Sequence, residues 1–199
     1  MSSKIPRAFY FRSTLRVAKD LLGQLVVRKY RGRRLVGRIV EVEAYRGSID
    51  PASHAYRGRT KRNEVMFWEG GHLYVYFTYG MHFCANVVTR EAGIAEAVLI
   101  RGVEPVVGLD VMERLRGKNI STFDLTNGPA KFCKAFGIKR KQNGVSLLGN
   151  EIYLARGRRV VQSRIGVSTR VGIRSGIEKR WRFFEKGNRW VSKQKRWQL

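Results

Sequence analysis

The chain is 199 residues long and carries 40 lysines and arginines against 15 aspartates and glutamates, which gives a formal net charge of +25 at pH 7. This length can bury the core of one domain, and a hydrophobic content of 43% argues against global disorder. No apolar run approaches the roughly 18 residues that a membrane-spanning helix needs. The N-terminus lacks the pattern of a secretory signal, and Cys84 and Cys133 are the only cysteines, so we expect a reducing compartment and no secretion.

The excess of basic residues predicts a polyanionic partner, because so large a net charge opposes compaction through self-repulsion. Nucleic acid is the first candidate and an anionic membrane surface is the second. Charge by itself separates neither DNA from RNA nor an enzyme from a non-catalytic binding protein.

Hydrophobic periodicity and turn residues predict strands and helices mixed without a regular β–α–β alternation. Such a mixture favours an α+β fold, in which helices flank one curved and mainly antiparallel sheet. We find no internal repeat and no linker, so we expect residues 1–199 to form a single domain. The predicted elements, in chain order, are a helix between Ser13 and Gly23, strands over 24–29 and 38–45, a loop over 47–71, strands over 72–79, 82–89 and 97–103 (the last ending before Pro105), helices over 109–115 and 129–136, and short strands over 144–148 and 152–155.

The C-terminal part, residues 156–199, interleaves tryptophans and phenylalanines with arginines and lysines. Large aromatic side chains argue against a free tail, so we expect them to pack inward while the charges face a groove. The basic segment 193–199 is expected either to add affinity for phosphate groups or to fray.

Two glutamates lie close together on one predicted strand. Alternation along this strand places Glu41, Glu43 and Tyr45 on the same face. In a basic protein the ordinary interpretation is that both carboxylates pair with neighbouring arginines. The functional interpretation is that one carboxylate is a general base while the other holds an arginine in place. The loop that follows contains His54, and loops are where functional sites are commonly built.

A tyrosine-rich strand follows the loop. Alternation places Tyr74 and Tyr76 on one face, with Tyr79 at the turn beside Gly80. Tyrosines in strands usually pack on a core or on the sheet surface. In a basic protein such rings are also suited to stack on a nucleobase or to wedge between base pairs.

Ordered sequence blocks along nearly the whole chain resemble the alkyladenine (3-methyladenine) DNA glycosylase family. The resemblance is carried, in order, by RIVEVEAYRG, DPASHAYRGRTKRN, GHLYVYFTYGMHFCANVV, AVLIRGVEP and NGPAKFCKAFGI, and by the C-terminal VGI and WRFF segments. Members of this family excise alkylated purines in base-excision repair. The resemblance therefore implies the family's α+β fold and a monofunctional glycosylase, which hydrolyses the N-glycosidic bond with water and leaves an abasic site.

By this resemblance, Glu43 is the base that activates the attacking water, and Arg101 lies beside it. Cleavage of an N-glycosidic bond develops positive charge at C1′, which a carboxylate can stabilise while it orients the water. A guanidinium at Arg101 would hold Glu43 ionised and grip the DNA backbone. Glu41 is the less favoured base, because the family pattern places the catalytic carboxylate two residues before the tyrosine.

The resemblance also implies a pocket for a flipped purine. Aromatic rings would stack on that purine, which is favourable when alkylation makes the base cationic. Tyr79 would fill the gap that the flipped nucleotide leaves in the stack. Asn86 would reject guanine by a clash with its exocyclic amine. The implied base-binding residues are Tyr45, His54, Tyr76, Asn86 and Val171; the implied phosphate contacts are Arg59 and Arg62, with Lys61 and Asn63 as further candidates.

The implied substrates are alkylated or deaminated purines of the 3-methyladenine, 7-methylguanine, hypoxanthine and ethenoadenine class. Arg174 and Ser175 depart from the family pattern after the VGI segment, which leaves the substrate range open. We expect a monomer that acts on double-stranded DNA containing damaged purines, in the cytoplasm with the nucleoid or in the nucleus, and does not act at a membrane. We expect no organic cofactor and no metal, because His72, His82 and Cys84 lack the spacing of a metal site.

Two other functions stay open at this point. A non-catalytic nucleic-acid-binding protein would account for the charge, although a pure binder has no need of Glu41 and Glu43 on a face that must meet phosphate. A glycosylase-like lyase would use Lys61 or Lys131 as the nucleophile. Borohydride trapping of a covalent DNA adduct would reveal such a lyase.

Overall fold

The computed structural model describes residues 2–117 and 119–192, so the expectation for residues 193–199 lies outside the described part of the chain. The helices are α1 (Thr14–Leu21), α2 (Leu109–Arg116) and α3 (Pro129–Ala135). The strands are β1 (Leu25–Tyr30), β2 (Arg33–Arg46), β3 (Leu73–Thr78), β4 (His82–Thr89), β5 (Glu96–Val107), β6 (Ile152–Ala155), β7 (Ile165–Ser168) and β8 (Arg182–Glu185).

The strands form one sheet in the order β3-β4-β5-β2-β1-β6, and β7 and β8 join it through the pairing of β8 with β2. Every strand pairing within the described ranges is antiparallel. The predicted α+β class with a mainly antiparallel sheet is therefore confirmed. β2 is the central element, since it pairs with β1, β5 and β8.

The core lies between the sheet and the helices. α1 packs on β2 and β5, α3 packs on β4 and β5, and α2 packs on α3. The largest buried cluster includes Leu21 of α1, Ile39 and Val42 of β2, and Phe132 and Phe136 around α3. Burial of each such side chain contributes about 1.5–3 kcal/mol. β2 is thus held firmly on both sides, which makes it a rigid platform for the side chains near its end.

The three helices agree closely with their predicted positions. Ser13 immediately precedes α1, although its side chain makes no capping hydrogen bond. Pro129 occupies the first turn of α3, where its missing N–H has no intrahelical role. No helix in the two described stretches is long and apolar enough to span a bilayer.

Two strand boundaries and one predicted strand are wrong. The strand predicted over 38–45 begins at Arg33, because its pairing with β1 continues back to the hairpin turn. The sequence predicts that a strand ends before Pro105, but β5 continues to Val107. Pro105 pairs with Gly37 next to a register shift, and an irregular position tolerates a residue that cannot donate a ladder hydrogen bond. The predicted strand over 144–148 is instead a series of turns; it lies beside β3 through backbone bonds such as Leu73 N–H to the Val145 carbonyl, 2.9 Å.

The structure also contains two strands, β7 and β8, in the C-terminal part that the sequence analysis did not divide into elements. Phe183 of β8 is buried in the main core, and Trp181 packs against it. This confirms the expected inward packing for Phe183 and Trp181, while Trp197 lies outside the described residues.

Three irregularities interrupt the pairing of β2 with β5, and two of them flank Glu41. Glu41 pairs with Gly102 and Val42 pairs with Ile100, so Arg101 has no partner across β2. A residue left over in this way forms a β-bulge, which redirects its side chain and is common beside functional sites. The bulge therefore sets the direction of Arg101 next to the two glutamates.

Candidate active site

A cavity of about 370 Å³ opens beside the ends of β2, β3, β4 and β5. It contains most of the residues that the sequence analysis singled out. Those lining it are Tyr45, His54, Tyr76, Tyr79, Asn86, Arg101 and Val171, together with Arg174 and Ser175. Residues far apart in the sequence thus share one concave surface.

Glu43 lies directly behind the wall of this cavity and is fully buried. Its Oε1 accepts a hydrogen bond from the Val171 backbone N–H (2.7 Å), and its Oε2 accepts one from the Tyr45 hydroxyl (2.9 Å). Arg101 Nη1 stands 3.3 Å from the same Oε2. All three donor residues line the cavity, so the carboxylate is one residue layer from the space that a ligand would occupy.

Burial raises the pKa of Glu43, although the charge of Arg101 and the two hydrogen bonds oppose the shift. The cause is desolvation, which disfavours the ionised carboxylate. A carboxylate with a raised pKa is a stronger base than an ordinary glutamate, and this is the property that a general base needs.

Glu41 lies two residues earlier and is also fully buried. Its Oε1 accepts hydrogen bonds from Arg101 Nε (2.9 Å) and Arg182 Nε (2.7 Å). Ser192 donates to it twice, through its hydroxyl to Oε1 (2.7 Å) and its backbone N–H to Oε2 (2.6 Å). Glu41 therefore fixes the guanidinium of Arg101, whose other end reaches Glu43. Both sequence interpretations hold in part: the glutamates do pair with arginines, and one of them orients the arginine of the other.

Three aromatic side chains form one wall of the cavity. The rings of Tyr74 and Tyr76 stack with centroids 5.5 Å apart, and the ring of His54 meets Tyr76 edge-on at 4.4 Å. His54 Nδ1 lies 3.0 Å from the Tyr74 hydroxyl. Burial, assisted by the charge of Arg62, lowers the pKa of His54 to about 4. The imidazole is therefore neutral at pH 7, and its Nε2 is the ring nitrogen not committed to Tyr74.

Asn86 lies across from Tyr74 in the pairing of β3 with β4. Its Nδ2 donates to the Tyr74 carbonyl at 3.2 Å. The side chain is buried and also lines the cavity. The amide is therefore fixed in orientation by the sheet itself.

Tyr79 stands at the tip of the turn between β3 and β4 and is 83% exposed. Its φ of +51° and that of Gly80, +65°, place both residues in the left-handed region. This backbone is strained for a tyrosine and suits a tight hairpin turn. The turn presents a bare aromatic ring at the mouth of the cavity.

The predicted phosphate contacts have different surroundings. Arg59 is exposed and pairs with Glu64 at 3.3 Å, while Arg62 donates to the Phe77 carbonyl at 3.2 Å. Asn63, by contrast, is buried; its Nδ2 donates to the carbonyls of His54 and Gly58, at 2.8 and 2.9 Å. The suggestion that Asn63 contacts phosphate is therefore wrong, because its side chain is used to hold the loop of His54.

Sequence reasoning missed a buried ion pair that locks this loop to the C-terminal part. Arg170 donates to both carboxylate oxygens of Asp50 (2.5 and 2.7 Å) and to the Ala44 carbonyl (3.0 Å). Both side chains are fully buried. Because Val171 follows Arg170, this pair places the Val171 N–H on Glu43. The only local signal was Asp50 before Pro51, which marks a turn and does not identify a partner.

Within residues 2–117 and 119–192, no group of three His, Cys, Asp or Glu side chains is arranged to hold a metal ion. His72 Nδ1 instead pairs with the Glu69 carbonyl at 2.9 Å. Cys84 is buried in the cavity wall as a free thiol.

Comparison with known proteins identifies the family of the chain. Residues 8–189 match the sequence profile of the family described as methylpurine-DNA glycosylase. A protein of Carboxydothermus hydrogenoformans is 54% identical over 190 residues, covering 95% of this chain and 98% of the relative. Proteins of Methanoculleus marisnigri and Clostridium acetobutylicum are 49% and 46% identical, each over 95% of this chain and over 98% and 97% of their own lengths. All three are provisionally named 3-methyladenine DNA glycosylases.

Proposed function

The chain belongs to the methylpurine-DNA glycosylase family, and from that premise we propose that it removes alkylated or deaminated purines from duplex DNA by hydrolysis, with Glu43 as the base. The enzyme class is that of a DNA-3-methyladenine glycosylase, which hydrolyses N-glycosyl bonds. The observation that carries the proposal is the placement of Glu43. A buried carboxylate with a raised pKa lies behind an aromatic cavity and is held by three donors from three segments of the chain.

The proposed reaction is a displacement at C1′ of the damaged nucleotide. The C1′–N bond breaks, and its electron pair leaves with the purine. A cationic alkylated base therefore departs neutral, whereas a neutral base such as hypoxanthine departs neutral only after it takes up a proton at N7 from solvent. Glu43 stabilises the positive charge that develops at C1′ and orients a water molecule. The water oxygen bonds to C1′, and the released proton goes to Glu43. The product is an abasic site in an unbroken strand.

Arg101 supports this step through Glu43. Its Nη1 lies 3.3 Å from Glu43 Oε2 while its Nε is held by Glu41 at 2.9 Å. The fixed positive charge favours the ionised carboxylate, which is the form able to accept a proton. Because Arg101 also lines the cavity, the same guanidinium is placed to meet the phosphate beside the flipped nucleotide.

The aromatic wall supports alkylated purines as the proposed substrates. A purine alkylated at N3 or N7 carries a positive charge, which interacts favourably with the electron-rich faces of Tyr45 and Tyr76. His54 is neutral at pH 7, so it adds no repulsion to a cationic base and can still offer a hydrogen bond. The Val171 backbone and the fixed amide of Asn86 complete the pocket, with Asn86 as the group that disfavours guanine by a clash with its exocyclic amine. 7-Methylguanine carries the same amine, and its excision relies on the positive charge that makes it a better leaving group.

Tyr79 is proposed to stabilise the flipped state of DNA. Removal of a nucleotide from the stack costs a few kcal/mol. A ring that is 83% exposed at the tip of a tight turn can enter the vacated space and recover part of this cost. Arg59 and Arg62, on the neighbouring loop, are proposed to contact the phosphates of the same duplex.

The test is single-turnover excision without added metal. Duplex oligonucleotides carrying hypoxanthine, ethenoadenine or 7-methylguanine are incubated with the protein and then treated with alkali, with an undamaged duplex as control. Strand cleavage that depends on both the lesion and the alkali is the expected result. Cleavage without alkali, together with borohydride trapping of a protein–DNA adduct, would show a lyase instead. Salt-sensitive binding with no cleavage of any lesion would show a non-catalytic binding protein.

A further inference from the structure

We propose that a second cavity, which is basic and remote from the active site, binds a backbone phosphate of DNA outside the lesion. This inference rests on the proposed function, because it takes DNA to be the partner. The cavity lies between the β1–β2 hairpin and the segment that follows α3, and its volume is about 370 Å³. It is lined by the basic residues Arg28, Lys29, Arg31, Lys139 and Lys141, and by Tyr30, Gly137 and Glu151.

Backbone contacts hold the walls of this cavity in place. Gly137 follows α3 with a φ of +61°, and a Cβ atom at this position would stand 2.6 Å from the Tyr30 ring. Glycine is therefore required for the hairpin to pack so closely on the end of α3. The Lys29 backbone N–H donates to the Glu151 carbonyl at 2.9 Å. The basic side chains are thus brought together by the fold and not by chance surface proximity.

The charge of this cavity is poorly compensated. Glu151 is its one acidic lining residue, and Arg28 Nη1 donates to it at 2.6 Å. The side chain of Arg28 is only 4% exposed, and its Nε has no hydrogen-bond partner among the residues that the structure describes. Within the same ranges, the exposed basic side chains of the cavity, Lys29, Arg31, Lys139 and Lys141, form no ion pair. Like charges held this close repel one another unless an anion binds between them.

A third cavity, which is also basic, offers a contrast within the same molecule. It has a volume of about 460 Å³ and includes Arg38, Arg158 and Arg164. There, however, Arg38 pairs with both Glu104 and Glu185, and Arg164 approaches Glu185 at 3.8 Å. That cavity therefore holds two carboxylates, which pair with Arg38 and Arg164, whereas the cavity beside β1 holds one. The cavity beside β1 is therefore the better phosphate site.

The distance to the active site determines which phosphate can bind. Lys29 pairs with Arg34 in the β1–β2 ladder, and positions 34 and 43 lie on the same strand. At about 3.3 Å per residue, the basic cavity lies up to about 30 Å from Glu43. That distance corresponds to roughly nine base pairs of duplex. The phosphate therefore comes either from the distal part of the same duplex or from a second DNA segment.

The test uses the double variant Lys139→Gln/Lys141→Gln, which neutralises two exposed positions of the cavity. The matched control is Arg16→Gln/Lys19→Gln, which removes the same charge from exposed positions of α1. Affinity is measured against salt concentration for two ethenoadenine duplexes. One has about six base pairs on each side of the lesion and extends about 20 Å from it; the other has about fifteen and extends about 50 Å, well beyond the cavity. Excision from the short duplex is measured in parallel.

A further titration separates the two sources of phosphate. Proteins that also carry Glu43→Gln are saturated with the short lesion duplex and then titrated with a fluorescent, undamaged duplex. Each phosphate contact contributes about 0.9 to the slope of log affinity against log salt. We expect the cavity variant to flatten this slope by about one. The flatter slope and the weaker binding would appear on the long lesion duplex if the phosphate lies on the same DNA. They would appear in the second titration if it lies on another segment.

The proposal is overturned if the cavity variant matches wild type on both probes, or if the α1 control produces the same loss. In either case excision from the short duplex reports separately on the proposed function. We expect that rate to be unchanged in both variants, because neither pair of residues lies in the active-site cavity. Absence of excision by wild type would instead refute the glycosylase assignment.

Discussion

Glu41 and Glu43 lie two residues apart on β2, and both are fully buried, yet their surroundings differ. Glu41 is surrounded by donors: two arginines bond to Oε1, and Ser192 bonds to both oxygens. Glu43 shares only Arg101 with it, at 3.3 Å, and its other donors are uncharged groups of Tyr45 and Val171.

The difference shows how one strand can supply a structural and a reactive carboxylate. A buried charge is tolerated when paired charges and hydrogen bonds compensate its desolvation. Glu41 has that compensation, so it is suited to hold Arg101 and Arg182. Glu43 has less, and its pKa is raised by burial. The carboxylate that retains an unfavourable environment is the one that gains from accepting a proton.

The largest effect that this comparison predicts is on catalysis. Glu43→Gln keeps the size of the side chain but removes the base, so single-turnover excision should fall at least about 100-fold. The variant should still bind a lesion duplex. Its thermal stability at pH 7 should not fall appreciably, because a carboxylate with a raised pKa is destabilising when ionised. Wild-type rates of excision in this variant would contradict the assignment of the base.

Glu41→Gln should lower the thermal stability of the protein, which Glu43→Gln should leave nearly unchanged. The amide of glutamine would direct its NH₂ at a donor. The buried guanidinium of Arg182 would lose the carboxylate that it pairs with, and Arg101 would keep Glu43 alone. Loss of one partner from a buried ion pair costs about 3–5 kcal/mol, which for a chain of this size lowers the Tm by roughly 10 °C. Calorimetry of this variant beside Glu43→Gln tests the comparison directly. Equal stability of the two variants would break it.

Elements that depend on local sequence were predictable. α1, α2, α3 and the β3–β4 hairpin follow from apolar spacing and from residues such as Gly23, Pro129 and Gly80. The extension of β5 through Pro105 was not, because it depends on a register shift against β2. The turns over 144–148 were mistaken for a strand because a short apolar run has no periodicity of its own.

The candidate site was predictable to a similar extent. Alternation brought Glu41 and Glu43 to one face, and the family resemblance identified Arg101, His54 and Tyr76 as neighbours in the cavity. The donors supplied by the C-terminal part were not found. Arg182 and Ser192 reach Glu41 from more than a hundred residues away. No local pattern indicates such a pair, because only the pairing of β8 with β2 brings it together.

A smaller effect is expected from Ser192→Ala. The substitution removes the hydroxyl that donates to Glu41 Oε1 at 2.7 Å and accepts a longer bond from Arg101 Nη2 at 3.2 Å. It keeps the backbone donor to Glu41 Oε2. Loss of one hydrogen bond to a charged group costs about 1.5–3 kcal/mol. We expect denaturant unfolding to show a loss in this range, below that of Glu41→Gln. A loss as large as that of Glu41→Gln would mean that Ser192, and not the pair of arginines, is the main partner of Glu41.

The smallest effect concerns the pH dependence of excision, and it isolates one uncharged donor of Glu43. Glu43 must be ionised to act as a base, so the rate should fall as the pH drops through its raised pKa. The Tyr45 hydroxyl lowers that pKa by donating to Oε2. Tyr45→Phe keeps the ring but removes this bond, so the acidic limb should move to higher pH, by up to about one unit.

The substrate for this pH measurement is 7-methylguanine. Its alkylated base needs no added proton in order to leave, so the acidic limb reports on the enzyme. Tyr76→Phe is the matched control, since it also removes a tyrosine hydroxyl from the lining of the cavity. Within residues 2–117 and 119–192, that hydroxyl makes no hydrogen bond to Glu43. Its limb should stay close to that of wild type. If Tyr45→Phe left the acidic limb in place or moved it to lower pH, the group that titrates would not be Glu43. The proposal that Glu43 is the reactive carboxylate and Glu41 the structural one would then be wrong.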